Sequence, residues 1–173
     1  MRRLVLALAT VAVVATGCSQ QSPAPSPSTP PATSTAAQPP PDPQPTGPGP
    51  CPYLATSFVA DANGQHVSKV QTSADKPHPA CFFYALTGKL QLTVQVYVGD
   101  AAVAKTLVNK AAPLNSSNPA SSPAGWQGGY EPTDAGAVYA VGKGGAAVVV
   151  STNQKQTVKA RTVAEQTISA LGL

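Results

Sequence analysis

Three cysteines, two histidines and seven carboxylates are the side chains in this sequence that could carry chemistry. Cys51 and Cys81 stand 30 residues apart. Such a pair could be a structural bridge, a redox couple or part of a metal site. A redox couple is usually Cys-x-x-Cys, and a metal site needs further ligands close by. Neither pattern surrounds them, so the spacing favours a disulfide, as expected of a chain that leaves the reducing cytosol. His66 and His78 are the only side chains that ordinarily titrate near neutral pH. His78 lies between Pro77 and Pro79, in a stiff turn, and His66 opens a strand, so both read as surface residues. Asp61, Asp75, Asp100, Glu131, Asp134 and Glu165 form no tight ligand cluster. Glu131 and Asp134 are close together, but two acids in a loop are more often solvated than catalytic. No Gly-x-Ser-x-Gly elbow, His-Glu-x-x-His helix or phosphate-binding glycine loop is present. The expectation is therefore no catalytic constellation, no metal site and no cofactor.

The third cysteine, Cys18, has a different setting. Arg2 and Arg3 precede an apolar run, Leu4 to Ala15, and small residues lead up to Cys18. Charge, apolar core and small-residue cleavage site together make a secretory signal. The apolar run is too short to span about 30 Å of hydrocarbon as a helix. Ala15-Thr16-Gly17-Cys18 resembles the bacterial lipobox, although Leu or Val is commoner where Ala15 stands. The resemblance implies a signal peptide over residues 1–17 and a lipidated cysteine at 18. The partner so implied is the cell membrane, contacted through a lipid anchor on its extracytoplasmic face. The alternative is an ordinary secreted chain with a chance cysteine.

Residues 19–50 hold twelve of the nineteen prolines, one charged residue (Asp42), and no aromatic or large aliphatic side chain. Such a segment cannot bury enough apolar surface to offset chain entropy, so residues 18–50 are expected to form a disordered stalk. Fully extended as polyproline II, it would reach about 100 Å. A spacer is the simpler reading, since no repeated proline motif with a basic flank marks it as a ligand for a proline-recognition domain.

Residues 51–173 are expected to form one globular domain. It carries nine Lys/Arg against six Asp/Glu with no basic cluster, which excludes nucleic acid as a partner. A first helix is expected over Pro52–Asp61 with Gly64 past its end, then strands over His66–Gln71 and Cys81–Leu86. Leu90–Val98 alternates strictly, with Leu90, Leu92, Val94, Val96 and Val98 on one face. Thr87-Gly88-Lys89 turns between the last two strands. Asp100 caps a helix through Lys110. A long loop, Pro113–Ala135, precedes a hairpin of Ala137–Val141 and Ala146–Ser151. Val148-Val149-Val150 is apolar on both faces, the mark of a central strand. A helix over Gln154–Leu171 closes the chain. The fold class is α+β: a mainly antiparallel sheet of about five strands packed with about three helices, in the order helix, three strands, helix, two strands, helix.

The long loop holds the single tryptophan, Trp126, among Gly125, Gly128 and Gly129, with Tyr130 beside it. Long loops in small domains are often functional. Trp126 and Tyr130 are thus candidate ligand-binding residues, offering a flat apolar surface to a sugar ring, a lipid or a peptide. The competing reading folds Trp126 back as a plug for the core.

Cys51-Pro52-Tyr53-Leu54, Cys81-Phe82-Phe83-Tyr84, Gly125-Trp126-Gln127-Gly128-Gly129, Val138-Tyr139-Ala140-Val141 and Asn153-Gln154 resemble motifs of uncharacterised actinobacterial lipoproteins built on a domain of unknown function. The resemblance covers the folded domain and implies its limits and its export, with no activity. The element order is also similar to the Mog1/PsbP-like sandwich, an analogy that carries no function. The reading that follows is a non-enzymatic binding or accessory module of the cell envelope, with a small apolar, glycan or protein ligand. The alternative is a cell-wall hydrolase or transferase with a non-standard site.

Overall fold

Leu90–Val98 alternates apolar and polar residues, Ala146–Thr152 carries three consecutive valines, and the two segments pair side by side in the middle of the sheet. The computed structural model describes residues 38–173. The expected signal peptide, Cys18 and the stalk as far as residue 37 lie outside the described residues. Eight strands form one antiparallel sheet: β1 (Gly47–Pro48), β2 (Val67–Thr72), β3 (Cys81–Ala85), β4 (Leu90–Val98), β5 (Asn118–Ala120), β6 (Gln127–Thr133), β7 (Gly136–Lys143) and β8 (Ala146–Thr152). Their order across the sheet is β1-β2-β3-β4-β8-β7-β6-β5. The chain runs β1 to β4 as one meander, crosses to the far edge through a helix, and returns from β5 to β8. The two halves meet where β4 pairs with β8, from Leu92 opposite Thr152 to Val98 opposite Ala146.

Three helices cover the sheet: α1 (Thr56–Asn63), α2 (Ala101–Ala111) and α3 (Thr157–Leu171). On one face, Leu92, Val94 and Val96 of β4 and Val148 and Val150 of β8 share a core with Val59 of α1 and Ala160, Val163, Ala164 and Ile168 of α3. On the other, α2 sets Ala104 and Val108 against Val138, Ala140 and Ala147, with Val149 packed alongside. β8 is thus apolar on both sides because helices lie on both sides. Its central place is the one its three consecutive valines require. Among the described residues, no helix is long and apolar enough to cross a membrane.

The sheet has eight strands, not about five. Two of the additional ones, β5 and β6, run through the segment expected to be a loop. They were illegible because Asn118-Pro119-Ala120 and Gln127-Gly128-Gly129 show no apolar alternation. Glycine is what close strand packing requires there: a side chain at Gly128 would run into the Ala140 carbonyl, and one at Gly129 into Ser117. Pro119 sits on the edge strand β5, where one side has no ladder to feed. Pro132 lies beyond the reach of β5, which pairs only with Gly128 to Tyr130.

The third additional strand, β1, lies in the proline-rich segment. Thr46 donates its amide to the Thr72 carbonyl (2.9 Å) and Gly49 donates to Val70 (3.3 Å). Farther back, Asp42 pairs with Lys110 of α2 at 2.6 Å. Residues 42–49 are therefore strapped to the domain, and the sheet takes up the chain ahead of Cys51. Both edges of the sheet end in short strands containing proline, which offer little template for another chain.

Helix limits moved for local reasons. α1 begins at Thr56, not Pro52, because Cys51, Tyr53 and Leu54 are spent on burial. Cys51 and Cys81 form a disulfide with a Cα–Cα distance of 5.6 Å, and the Tyr53 hydroxyl donates to the Pro79 carbonyl at 2.8 Å. Burial pushes the Tyr53 phenol up, so it stays protonated and keeps donating. α1 ends at Gly64, whose positive φ of 69° forms the left-handed cap. Asp100 caps α2, accepting from the amides of Ala102 and Val103. α3 starts at Thr157, not Gln154, because the chain bends at Asn153 and Gln154, whose side chains bond to one another and to residues around the end of α1.

A polar cluster is built there on Asn63, the last residue of α1, which is fully buried. Its amide nitrogen donates to Gln91 Oε1 (3.0 Å) and, more weakly, to Asn153 Oδ1 (3.4 Å). Its side-chain oxygen accepts from the Thr152 hydroxyl. Gln91, also buried, donates in turn to the His66 carbonyl at 3.0 Å. Lys159 of α3 donates to the Asn63 carbonyl at 2.9 Å. The carboxamide thus ties the end of α1 to β4 and to the end of β8, and among the described residues no buried side-chain polar atom lacks a partner.

Candidate functional site

A helix laid across a sheet leaves a groove on each flank, and what fills each groove depends on side-chain size. α2 lies over β7 and β8. On the flank toward β3 and β4, its Leu107, Lys110 and Ala111 face Phe82, Thr93 and Gln95 across a cavity of about 330 Å³. Asp42 and Pro43 of the strap close this side, and the Lys110–Asp42 pair holds them there. Both partners of that pair are more than half exposed, so it contributes about 0–1 kcal/mol and serves mainly to position the strap.

The opposite flank is open. Ala101, Ala104, Lys105, Val108 and Asn109 face a cleft of about 450 Å³. Their spacing of i, i+3, i+4, i+7 and i+8 is that of one helix face. The far wall comes from Gln127 and Gly128 of β6 and Gly142 and Lys143 of β7. Gly128, Gly142 and Gly144 bring no side chain to that wall. At Gly142 a single added carbon would already press on Val108, 3.3 Å away. Leu114, just past α2, overhangs the rim and is 71% exposed. The cleft therefore combines an apolar body with two amide side chains and two lysines. Among the described residues, no carboxylate lines it. A concave, mostly apolar site with a few convergent polar groups is the usual form of a small-ligand site.

The sequence-derived candidates fall in other places. Trp126 is 2% exposed and belongs to the core beneath α3. Of the two readings of the long loop, the structure shows Trp126 folded back as a core plug and no exposed aromatic ledge. The residues ahead of it are pinned: Tyr139 donates its hydroxyl to the Ser122 carbonyl at 2.6 Å, and Ser122 donates to Glu165 of α3. Burial holds the Tyr139 phenol above its ordinary value, against the opposing pull of its Ser122 bond. Tyr130 is half-buried on β6 and stacks on Tyr139, with ring centroids 6.3 Å apart. It lines a shallow pocket of about 120 Å³ with Thr157, Val158 and Arg161. Trp126 and Tyr130 therefore do not form one surface.

His66 is exposed and His78 half-buried, and neither lines the α2 cleft. Among the described residues, no group of three or more His, Cys, Asp or Glu could hold a metal ion. The cleft residues were not legible in the sequence. Two lysines, two amides and some alanines carry no motif.

A family model described as a domain of unknown function, DUF2020, matches residues 33–173. The match takes in the strap as well as the domain that follows Cys51. No curated protein matches the chain.

Trp126→Ala should behave as a core truncation. Chemical denaturation should report a loss of about 3–5 kcal/mol. Stability close to that of the unaltered chain would contradict the placement of this side chain in the core.

Proposed function

We propose that this chain, which belongs to the DUF2020 family of domains of unknown function, is a lipid-anchored, non-enzymatic binding module of the cell envelope that takes a small ligand in the open groove of α2. The observation that carries the binding half is the cleft itself: about 450 Å³ of mostly apolar space between α2 and the glycines of β6 and β7. The anchoring half rests on Arg2, Arg3, the apolar run and the lipobox-like Ala15-Thr16-Gly17-Cys18. A disulfide between Cys51 and Cys81 fits an oxidising compartment outside the cytoplasm. Two acyl chains on Cys18 would suffice for stable attachment. The reading as an actinobacterial lipoprotein rests on the motifs from Cys51-Pro52-Tyr53-Leu54 to Asn153-Gln154. Helices on both faces of an antiparallel sheet fit a Mog1/PsbP-like sandwich, which adds nothing about the ligand.

The strap gives the anchor a mechanical sense. Proline-rich chain leads from Cys18 to Asp42, and from Asp42 onward it is fastened to the domain.

Two expectations follow from the two halves. In bacteria expressing the full chain, Cys18→Ser should shift the protein from the membrane fraction to the soluble fraction with its disulfide intact. Continued retention in the membrane would contradict the anchor. Ala101 is exposed on the rim of the cleft, so Ala101→Trp should fill it at little cost in stability. Compounds that raise the melting temperature of the unaltered chain should then lose that effect. Equal stabilisation of both proteins would place the binding site elsewhere.

A further inference from the structure

α2 is flanked by two grooves, and the chain's own strap borders one of them. On the strapped side, Asp42 and Pro43 line a cavity together with Phe82 and Leu107, and Asp42 pairs with a helix lysine, Lys110, at 2.6 Å. The open side has an apolar lining and a helix lysine as well, but no carboxylate among the described residues to pair with it. Its apolar surface comes from Ala101, Ala104, Val108 and the overhanging Leu114. Its helix lysine is Lys105, five residues before Lys110, and Lys143 joins it from the end of β7. Among the described residues, no acid lines the groove and neither lysine has an ion-pair partner. Asn109 and Gln127 add amide groups that can donate to an oxyanion.

We propose that the open groove of α2 binds a single-chain amphiphile bearing a carboxylate, with the chain along Val108 and Leu114 and the carboxylate held by Lys105 and Lys143. The inference rests on the reading of this groove as a binding site, and it adds the ligand class. The charge asymmetry carries it. Two cations with no lining acid favour an anion, and a partly apolar enclosure strengthens that preference over what bare water would allow. The volume suits a short acyl chain, being in the lower part of the range for small-ligand sites.

Calorimetric titration of the full chain with octanoate and with octanol, both below their micellar or solubility limits, tests this. The two probes share the apolar chain and differ in the head group. Octanoate should bind about tenfold more tightly than octanol. That advantage should disappear in the double variant Lys105→Met, Lys143→Met and shrink in high salt. Octanol should bind the unaltered chain and the variant equally, which also shows that the variant is folded. Equal binding of the two probes, or an octanoate advantage that survives in the double variant, would overturn carboxylate recognition and leave the groove as a binding site. Binding of neither probe would overturn both.

Discussion

The carboxamide of Asn63 is the interaction on which the rest of this fold most depends. It stands at the end of α1, joins β4 through Gln91 and joins β8 through Thr152, while the backbone carbonyl of the same residue accepts from Lys159 of α3. Those are the segments that form the α1/α3 layer and its half of the sheet. A buried amide satisfied on both its nitrogen and its oxygen allows one arrangement of its neighbours, because any slip leaves polar atoms dry and unpaired. Each such orphan costs about 1–3 kcal/mol, a large share of the stability of a domain this size. The apolar core beside it would tolerate several packings; the amide selects one. At the other end of the same layer, the Cys51–Cys81 disulfide and the Tyr53–Pro79 hydrogen bond fix how the chain enters the domain. Closing a loop of 30 residues adds about 3–4 kcal/mol in the chain-entropy account.

With that layer fixed, the opposite face is left to one helix. α2 is too narrow to cover eight strands, so it leaves grooves. The chain resolves the first by laying its own prolines over β3 and β4. The second stays open. Small residues serve two ends here. Gly128 and Gly129 let strands and the neighbouring loop approach closely, and Gly128 also lies in the wall of the open groove.

Much of this organisation was legible in the sequence and some was not, for identifiable reasons. Leu90–Val98 and the three valines of β8 announced themselves because one alternates and the other is buried twice. Asp100 and Gly64 marked helix ends by chemistry that operates locally. β5, β6 and β1 stayed hidden because their residues are chosen for what they permit. Proline at an edge and glycine at a close approach look like loop in one dimension. Trp126 drew attention as the single tryptophan in a glycine-rich segment, yet its neighbours carry it inward: Tyr139 and Glu165, remote in sequence, hold the preceding turn in place. The α2 groove could not be read in advance. It is an assembly of helix face and distant strands, and no local pattern encodes it.

Function on this account lies in shape and charge, with Lys105 and Lys143 above an apolar floor. Amide chemical-shift mapping on addition of octanoate tests that claim most directly. The account predicts shifts confined to Ala101–Asn109, Gln127–Gly128 and Gly142–Gly144. Shifts centred on Tyr130, Val158 and Arg161, or absent from the α2 groove altogether, would contradict it.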